Sequence, residues 1–219
     1  VGEGPVETIV QKRLEGGPFI DLFDFCARVD LKRINKRVME ALIRSGALDS
    51  LGPFFDTDQQ RFLKQIDRNR AALMASMEEA IASAEQTAKS ADSGHADLFG
   101  DLLGPSTERD VYEAYRNARE WSFKERLRGE KETLGLYLTG HPIDEYEREI
   151  RRFARQRIID LKPSRDSQTI AGLVFDLRVM KSKRGDKMGF VTLDDRSSRI
   201  EVSLYAEAYQ ASQALLQKD

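Results

Sequence analysis

Disulfides are excluded at once, because the 219 residues contain a single cysteine, Cys26. It lies in the apolar run Leu22-Phe23-Asp24-Phe25-Cys26-Ala27 and reads as a small core residue. Histidine is almost as scarce. His95 and His141 are the only two, neither has a cysteine nearby, and a His/Cys metal site is not expected. No apolar run reaches membrane length and no signal peptide opens the chain, which predicts a cytoplasmic protein with no membrane contact. The chain starts at Val1 without an initiator Met, so a piece of a longer protein is expected.

Charge is abundant but unevenly placed. The formal net charge is only −2, yet Arg151 to Arg199 holds thirteen Lys/Arg against six Asp, while 56–130 leans acidic. A local basic excess in an otherwise acidic chain points to a surface that meets a polyanion, with solvated surface charge as the plainer alternative.

One stretch organises the rest. Between the polar tract Ala84–Ser90 and the polar run Ser106–Asp110, four large apolar residues (Leu98, Phe99, Leu102 and Leu103) are punctuated by Gly and Pro. Such a cluster is either a strap tacked onto a neighbouring surface or a peptide meant for another protein's pocket. A helix-rich region precedes it and a basic, strand-rich region follows.

At the start, Gly2-Glu3-Gly4 reads as a turn entering a helix at Pro5, with Val6, Ile9, Val10 and Leu14 at helical spacing. Glycines before a helix let the backbone approach a phosphate, and a tight turn needs them equally. A second helix is expected over Phe19–Ala27. Asn35 fits as the N-cap of a third helix, Lys36–Ser45, with Val38, Leu42 and Ile43 inward and Gly46 as its stop. Lys32, Arg33, Lys36 and Arg37 cluster at the corner between the two. A long helix is expected from Asp58 to about Ala84, another from Lys124 to Leu138, and a third over 143–155 with Tyr146 and Phe153 inward.

From Thr169 the apolar period changes from helical to alternating. A strand containing Gly172, expected to bend or bulge there, is followed by the basic loop 181–187. Strands follow at Met188–Asp195 and Ile200–Tyr205, then a helix over Ala206–Lys218. Three bent antiparallel strands and a helix read as the front of a small oligonucleotide-binding (OB-type) Greek-key barrel, whose basic loop would grip a single strand. Phe190 and Tyr205 are the aromatics to watch, with Phe190 expected in the core. Asp194-Asp195 is expected to cap a turn rather than to do chemistry. The fold class is therefore α+β and multi-domain. A mainly helical domain spans 1–85, a linker 86–110, a helical connector 111–165, and a partial barrel of three strands and a helix 166–219.

Several runs resemble the alpha subunits of bacterial replicative DNA polymerase III. They are Gly2-Glu3-Gly4-Pro5, Leu22–Arg28, Asn35-Lys36-Arg37-Val38, Ser45–Asp49, Glu132–Ile143 with its Gly140-His141-Pro142, Lys183-Arg184-Gly185 and Thr192–Ser197. The likeness runs through the whole chain in order. It implies a helix–hairpin–helix DNA-binding domain first and an oligonucleotide-binding domain last. It also implies a peptide between them for the beta sliding clamp: His95-Ala96-Asp97-Leu98-Phe99, with Leu98 and Phe99 as anchors and His95 where the family usually has Gln. A neutral imidazole can donate one hydrogen bond and accept another, but without a carboxamide's geometry. Duplex and single-stranded DNA and other subunits of the replicative assembly are the implied partners. DNA contacts would fall to Gly2, Gly4, Lys32, Arg33, Lys36 and Arg37, and to Lys181, Lys183, Arg184 and Lys187. In that family nucleotidyl transfer belongs to palm carboxylates holding Mg2+. No such motif occurs here, so no cofactor and no polymerising activity are expected of this chain alone. The alternative is a protein-interaction segment with negligible DNA binding, and a weaker one is an independent nuclease or ligase.

Overall fold

The computed structural model describes residues 2–92, 110–182 and 185–216. They fall into two units, Val1–Thr139 and Gly140–Asp219, so the stretch expected as a connector is shared between them at Thr139.

In the first unit α1 (Glu3–Gly16), α2 (Leu22–Arg28) and α3 (Lys36–Ser45) lead to a 3-10 turn at Asp49–Leu51, then α4 (Gln59–Leu63), α5 (Ile66–Asp92) and, later, α6 (Phe123–Leu134). The spine is α5. Leu73, Met77, Ala80 and Ala84 recur at threes and fours and bury against Leu22, Phe25 and Cys26 of α2 and Met39 and Ile43 of α3. Cys26 is the buried core residue its run predicts, and burial pushes its thiol up to about 12. Tyr112 fastens the chain beyond residue 110 to this core. Its hydroxyl donates to the Leu51 carbonyl at 2.6 Å and accepts from the Leu22 N–H at 2.8 Å.

Several boundaries differ from expectation for local reasons. Helix α1 begins at Glu3, so Gly4 lies inside it and Pro5 is its third residue. Of its apolar stripe only Ile9 packs on the core, and Val6, Val10 and Leu14 are exposed. Helix α2 starts at Leu22 because Asp21 caps it, accepting from the Asp24 N–H. Ile20, expected within the helix, lies before it and is exposed. Helix α3 has the expected limits, with the Asn35 cap on the Val38 N–H and Gly46 left-handed at φ 82°. Met39 is buried where Val38 is only partly so. The long helix is broken at Lys64-Gln65 and extends to Asp92, through good helix formers in the tract expected to be linker. Helix α6 stops at Leu134 instead of Leu138, because Gly135 turns left-handed at φ 76°.

In the second unit a 3-10 turn, Pro142–Tyr146, leads into α7 (Glu147–Phe153), a second 3-10 turn at Ile158–Asp160, β1 (Leu173–Lys181), β2 (Lys187–Asp194), β3 (Arg199–Leu204) and α8 (Ala206–Ser212). The strands form one antiparallel sheet in the order β1-β2-β3. Its register shifts between Val174 and Asp176, which puts the irregularity at Phe175 and not at Gly172. Gly172 serves close approach instead, since a Cβ there would lie 3.0 Å from the Asp194 carbonyl oxygen. Alternation places Leu177, Val191 and Val202 on one face, and Arg178, Phe190 and Ser203 on the other. Tyr209 of α8 packs over Gly189, where a Cβ would lie 2.6 Å from its ring. Phe153 and Tyr146, expected inward, are exposed. Helix α8 is shorter than expected, and Leu215 is exposed beyond it.

Candidate nucleic-acid interface

The corner between α2 and α3 is built by hydrogen bonds that present cations outward. The Asp30 carboxylate accepts from the Lys32 N–H at 2.9 Å, and its carbonyl accepts from the N–H groups of Arg33 and Ile34. Ile34 is thereby driven into the core and Asn35 placed to cap α3. The side chains left outside are Lys32, Arg33, Lys36 and Arg37. Lys36 and Arg37 occupy the first turn of α3, which has no acidic residue. A helix start carries the positive end of the dipole, which disfavours cations there and which an anion would offset. Two of the four are partly balanced. Lys36 pairs with Glu78 of α5, and Arg33 lies 3.6 Å from Asp30.

The start of α1 is less favourable to an anion than its glycines imply. Gly2 is the N-cap, without a side-chain bond, and Gly4 is helical and not part of a free turn. Glu3 stands in the first turn, where a phosphate would meet its charge.

In the second unit the hairpin between β1 and β2 sets Lys181 directly opposite Lys187. It is closed by bonds between Ser182 and Asp186 and by Gly185 at φ 91°. Lys183 and Arg184, like His95, Asp97, Leu98 and Phe99 of the peptide expected to meet a clamp, lie outside the described residues. Tyr205 is 70% exposed, whereas Phe190 is half-buried. The bulged Phe175 is covered by the Arg199 guanidinium, 3.6 Å from its centroid.

Asp194 and Asp195 are occupied by structure. Asp195 accepts from the N–H groups of Ile158, Ser197 and Ser198 and from the Ser197 hydroxyl. Asp194 accepts from the Arg196 N–H and from Arg199 Nε, and it is buried, not solvated. Burial alone would raise both carboxyls, but these donors hold them below the usual range. His141 Nε2 lies 3.5 Å from Asp194 Oδ1, and its Nδ1 accepts from the Ile143 N–H at 3.3 Å. The Gly-His-Pro run thus caps a turn and docks it to the end of β2. Among the described residues, no cluster of three or more His, Cys, Asp or Glu is arranged to hold a metal ion.

Sequence reasoning missed the buried ionic joint of the first unit. Arg70 grips Asp49 with two bonds of 2.8 and 2.9 Å and Glu130 with one of 2.9 Å. Glu130 also accepts from the N–H groups of Leu138 and Thr139 and from the Thr139 hydroxyl. Beside Arg70, Asn69 bonds the Phe54 N–H and the Asp49 carbonyl. This joint fixes the loop after α3, and with it the far end of the helix whose start carries the basic corner. No helix, strand or turn signal could have revealed it, because Arg70 and Glu130 are partners across 60 positions.

The chain is similar to known proteins at two levels. Residues 1–55 match a family model described as a helix-hairpin-helix motif. Over its full length the chain is 68% identical to the DNA polymerase III subunit alpha of Pseudomonas fluorescens, covering 18% of that protein. It is 49% identical to the corresponding protein of Vibrio cholerae and 46% identical to that of Escherichia coli strain K12, again covering 18% of each. The chain therefore spans less than a fifth of the curated relatives it matches. With every residue aligned to such proteins, the chain belongs to the family of bacterial DNA polymerase III alpha subunits.

Proposed function

We propose that this chain is the part of an alpha subunit that holds DNA and tethers the enzyme to its sliding clamp, doing no nucleotidyl transfer itself. The observation that carries the DNA reading is the basic corner. Lys32, Arg33, Lys36 and Arg37 crowd the start of α3, where the helix dipole opposes them and a phosphate would relieve them. The helix-hairpin-helix match over the same residues supports it. Phosphate bonds of this kind carry no sequence information, so binding is non-specific and falls steeply with salt. We read the open sheet as part of an OB-type barrel, with Lys181, Lys183, Arg184 and Lys187 along a backbone groove. The tether is assigned to His95, Asp97, Leu98 and Phe99 on sequence alone.

The DNA reading is tested with blunt duplex DNA over a salt series, using Lys32→Ala/Arg33→Ala/Arg37→Ala and leaving Lys36 with Glu78. The slope of log affinity against log salt should become shallower by about 2.7, or 0.9 for each phosphate no longer neutralised. Duplex binding that ignores salt, or a variant that binds as the wild type does, would overturn this reading. A wild-type chain with negligible duplex affinity would put in its place the reading as a pure protein-interaction segment, favoured by the exposed Leu14 and Ile20.

A further inference from the structure

Fifteen residues of the second unit, 151–165, carry six cations (Arg151, Arg152, Arg155, Arg157, Lys162 and Arg165) against one carboxylate, Asp160. They border two clefts of about 700 and 970 Å³ that share Arg155 and Gln156 as a common wall. The apolar lining of the smaller cleft is aliphatic, from Ile143, Ile150, Ala154 and Ala171, with no aromatic ring. Its three carboxylates are already engaged. Asp144 takes Arg196 at 3.1 and 3.2 Å, Glu147 pairs with Arg151, and Asp195 is saturated by backbone and hydroxyl donors. Arg155 and Arg157 are exposed and make no ion pair with any described residue. The larger cleft adds Phe153 and Ile159, which are 75% and 63% exposed. Large apolar side chains left bare together mark a surface that a partner covers.

We infer that this double cleft docks an acidic peptide segment of a partner protein. One aliphatic or aromatic side chain of the peptide sits in the smaller cleft, its carboxylates meet Arg155 and Arg157, and its backbone and apolar groups cover Phe153 and Ile159. Charge complementarity sets the sign of the partner, because two open guanidinium forks match carboxylates with paired bonds. They would match phosphates equally well, so the apolar surface decides between the two. A base needs a ring to stack on, and the smaller cleft offers only aliphatic side chains. Ile159 is likewise surface that an apolar partner group covers and a phosphate does not. Arginine and aromatic side chains are the residues enriched where protein partners bind, and here they stand side by side around concave apolar ground. The surface uses none of the residues of the basic corner or of the β1–β2 hairpin, so it goes beyond DNA holding and clamp tethering.

The test is fluorescence anisotropy of a labelled peptide in which aspartates flank a Leu-Phe pair, titrated with the whole chain. Arg155→Ala/Arg157→Ala should weaken binding by about tenfold and remove most of its salt dependence, since exposed charge pairs are screened. Phe153→Ala/Ile159→Ala should weaken it by about tenfold or more and leave the salt dependence unchanged. Replacing the peptide's Leu-Phe by Ser-Ser should weaken it likewise. The charge-reversed chain, Arg155→Glu/Arg157→Glu, should lose the aspartate peptide and gain its lysine counterpart, which a merely structural role for the arginines would not produce. All four positions are exposed, so thermal midpoints should not move. The corner variant should bind the peptide as the wild type does, so this surface and the DNA reading can fail separately. No binding of the aspartate peptide, or equal binding of the Ser-Ser peptide, would overturn the inference. So would cleft variants that lose a labelled oligo-dT strand and keep the peptide, which would make this a surface for nucleic acid.

Discussion

Glu130 is 0% exposed and its partner Arg70 is 1% exposed, and a buried charge is costly unless it is paired and hydrogen-bonded. Burial works against the Arg70 charge, and Asp49 and Glu130 more than offset it, so the guanidinium holds its proton more tightly than usual. Burial likewise pushes Glu130 up, but the Thr139 hydroxyl, the N–H groups of Thr139 and Leu138, and Arg70 bring it below its ordinary value of 4.5. A lowered carboxyl contributes stability that is complete above that ordinary value and is lost as pH falls through the lowered one. Glu130→Ala should therefore cost about 3–5 kcal/mol in urea unfolding at neutral pH, because it strands Arg70 and two N–H groups. Glu132→Ala, on the same helix, removes only an exposed 2.9 Å pair with Arg44 and should cost less than about 1 kcal/mol. Similar losses from the two would mean that Asp49 alone satisfies Arg70.

Two helices end in the same way, and the comparison isolates what a glycine does there. Gly46 after α3 and Gly135 after α6 are both left-handed, at φ 82° and 76°. Around Gly135 nothing lies within 4 Å of a built Cβ, so Gly135→Ala should cost only the conformational penalty of about 1–2 kcal/mol. A Cβ on Gly46 would lie 2.3 Å from Arg70 Nη2 and 2.8 Å from Asp49 Oδ2. Gly46→Ala must therefore also disturb the buried joint, and its thermal midpoint should fall clearly further than that of Gly135→Ala. Equal shifts would show that the joint moves aside freely. Both ends of α3 were legible in the sequence, because Asn35 and Gly46 act through their immediate neighbours. The break at Lys64-Gln65 was not, since the apolar period continues across it. The inward placing of Phe153 failed for a related reason. Helical spacing tells which residues share a face, and only tertiary packing decides whether that face is covered.

At the scale of the whole chain, the basic corner and the basic 151–199 stretch were legible as charge, but their arrangement was not. Sequence could not tell that Lys36 is spent on Glu78 and Arg196 on Asp144, while Arg155 and Arg157 stay open. The tether rests on sequence, so that part of the function is decided by binding. Leu98 and Phe99 are the two large apolar side chains of the motif, and burying each is worth about 1.5–3 kcal/mol. Removing both should cost the tether most of its affinity. Calorimetry of the chain against purified sliding clamp should show binding that Leu98→Ala/Phe99→Ala abolishes, with duplex affinity unchanged because the basic corner is untouched. That result would make the peptide the tether and show that His95 is tolerated where the family usually has Gln. A wild-type chain that fails to bind the clamp would refute the tether, through the imidazole's different hydrogen-bond geometry or because the segment is only a strap, and would leave DNA holding as the main role.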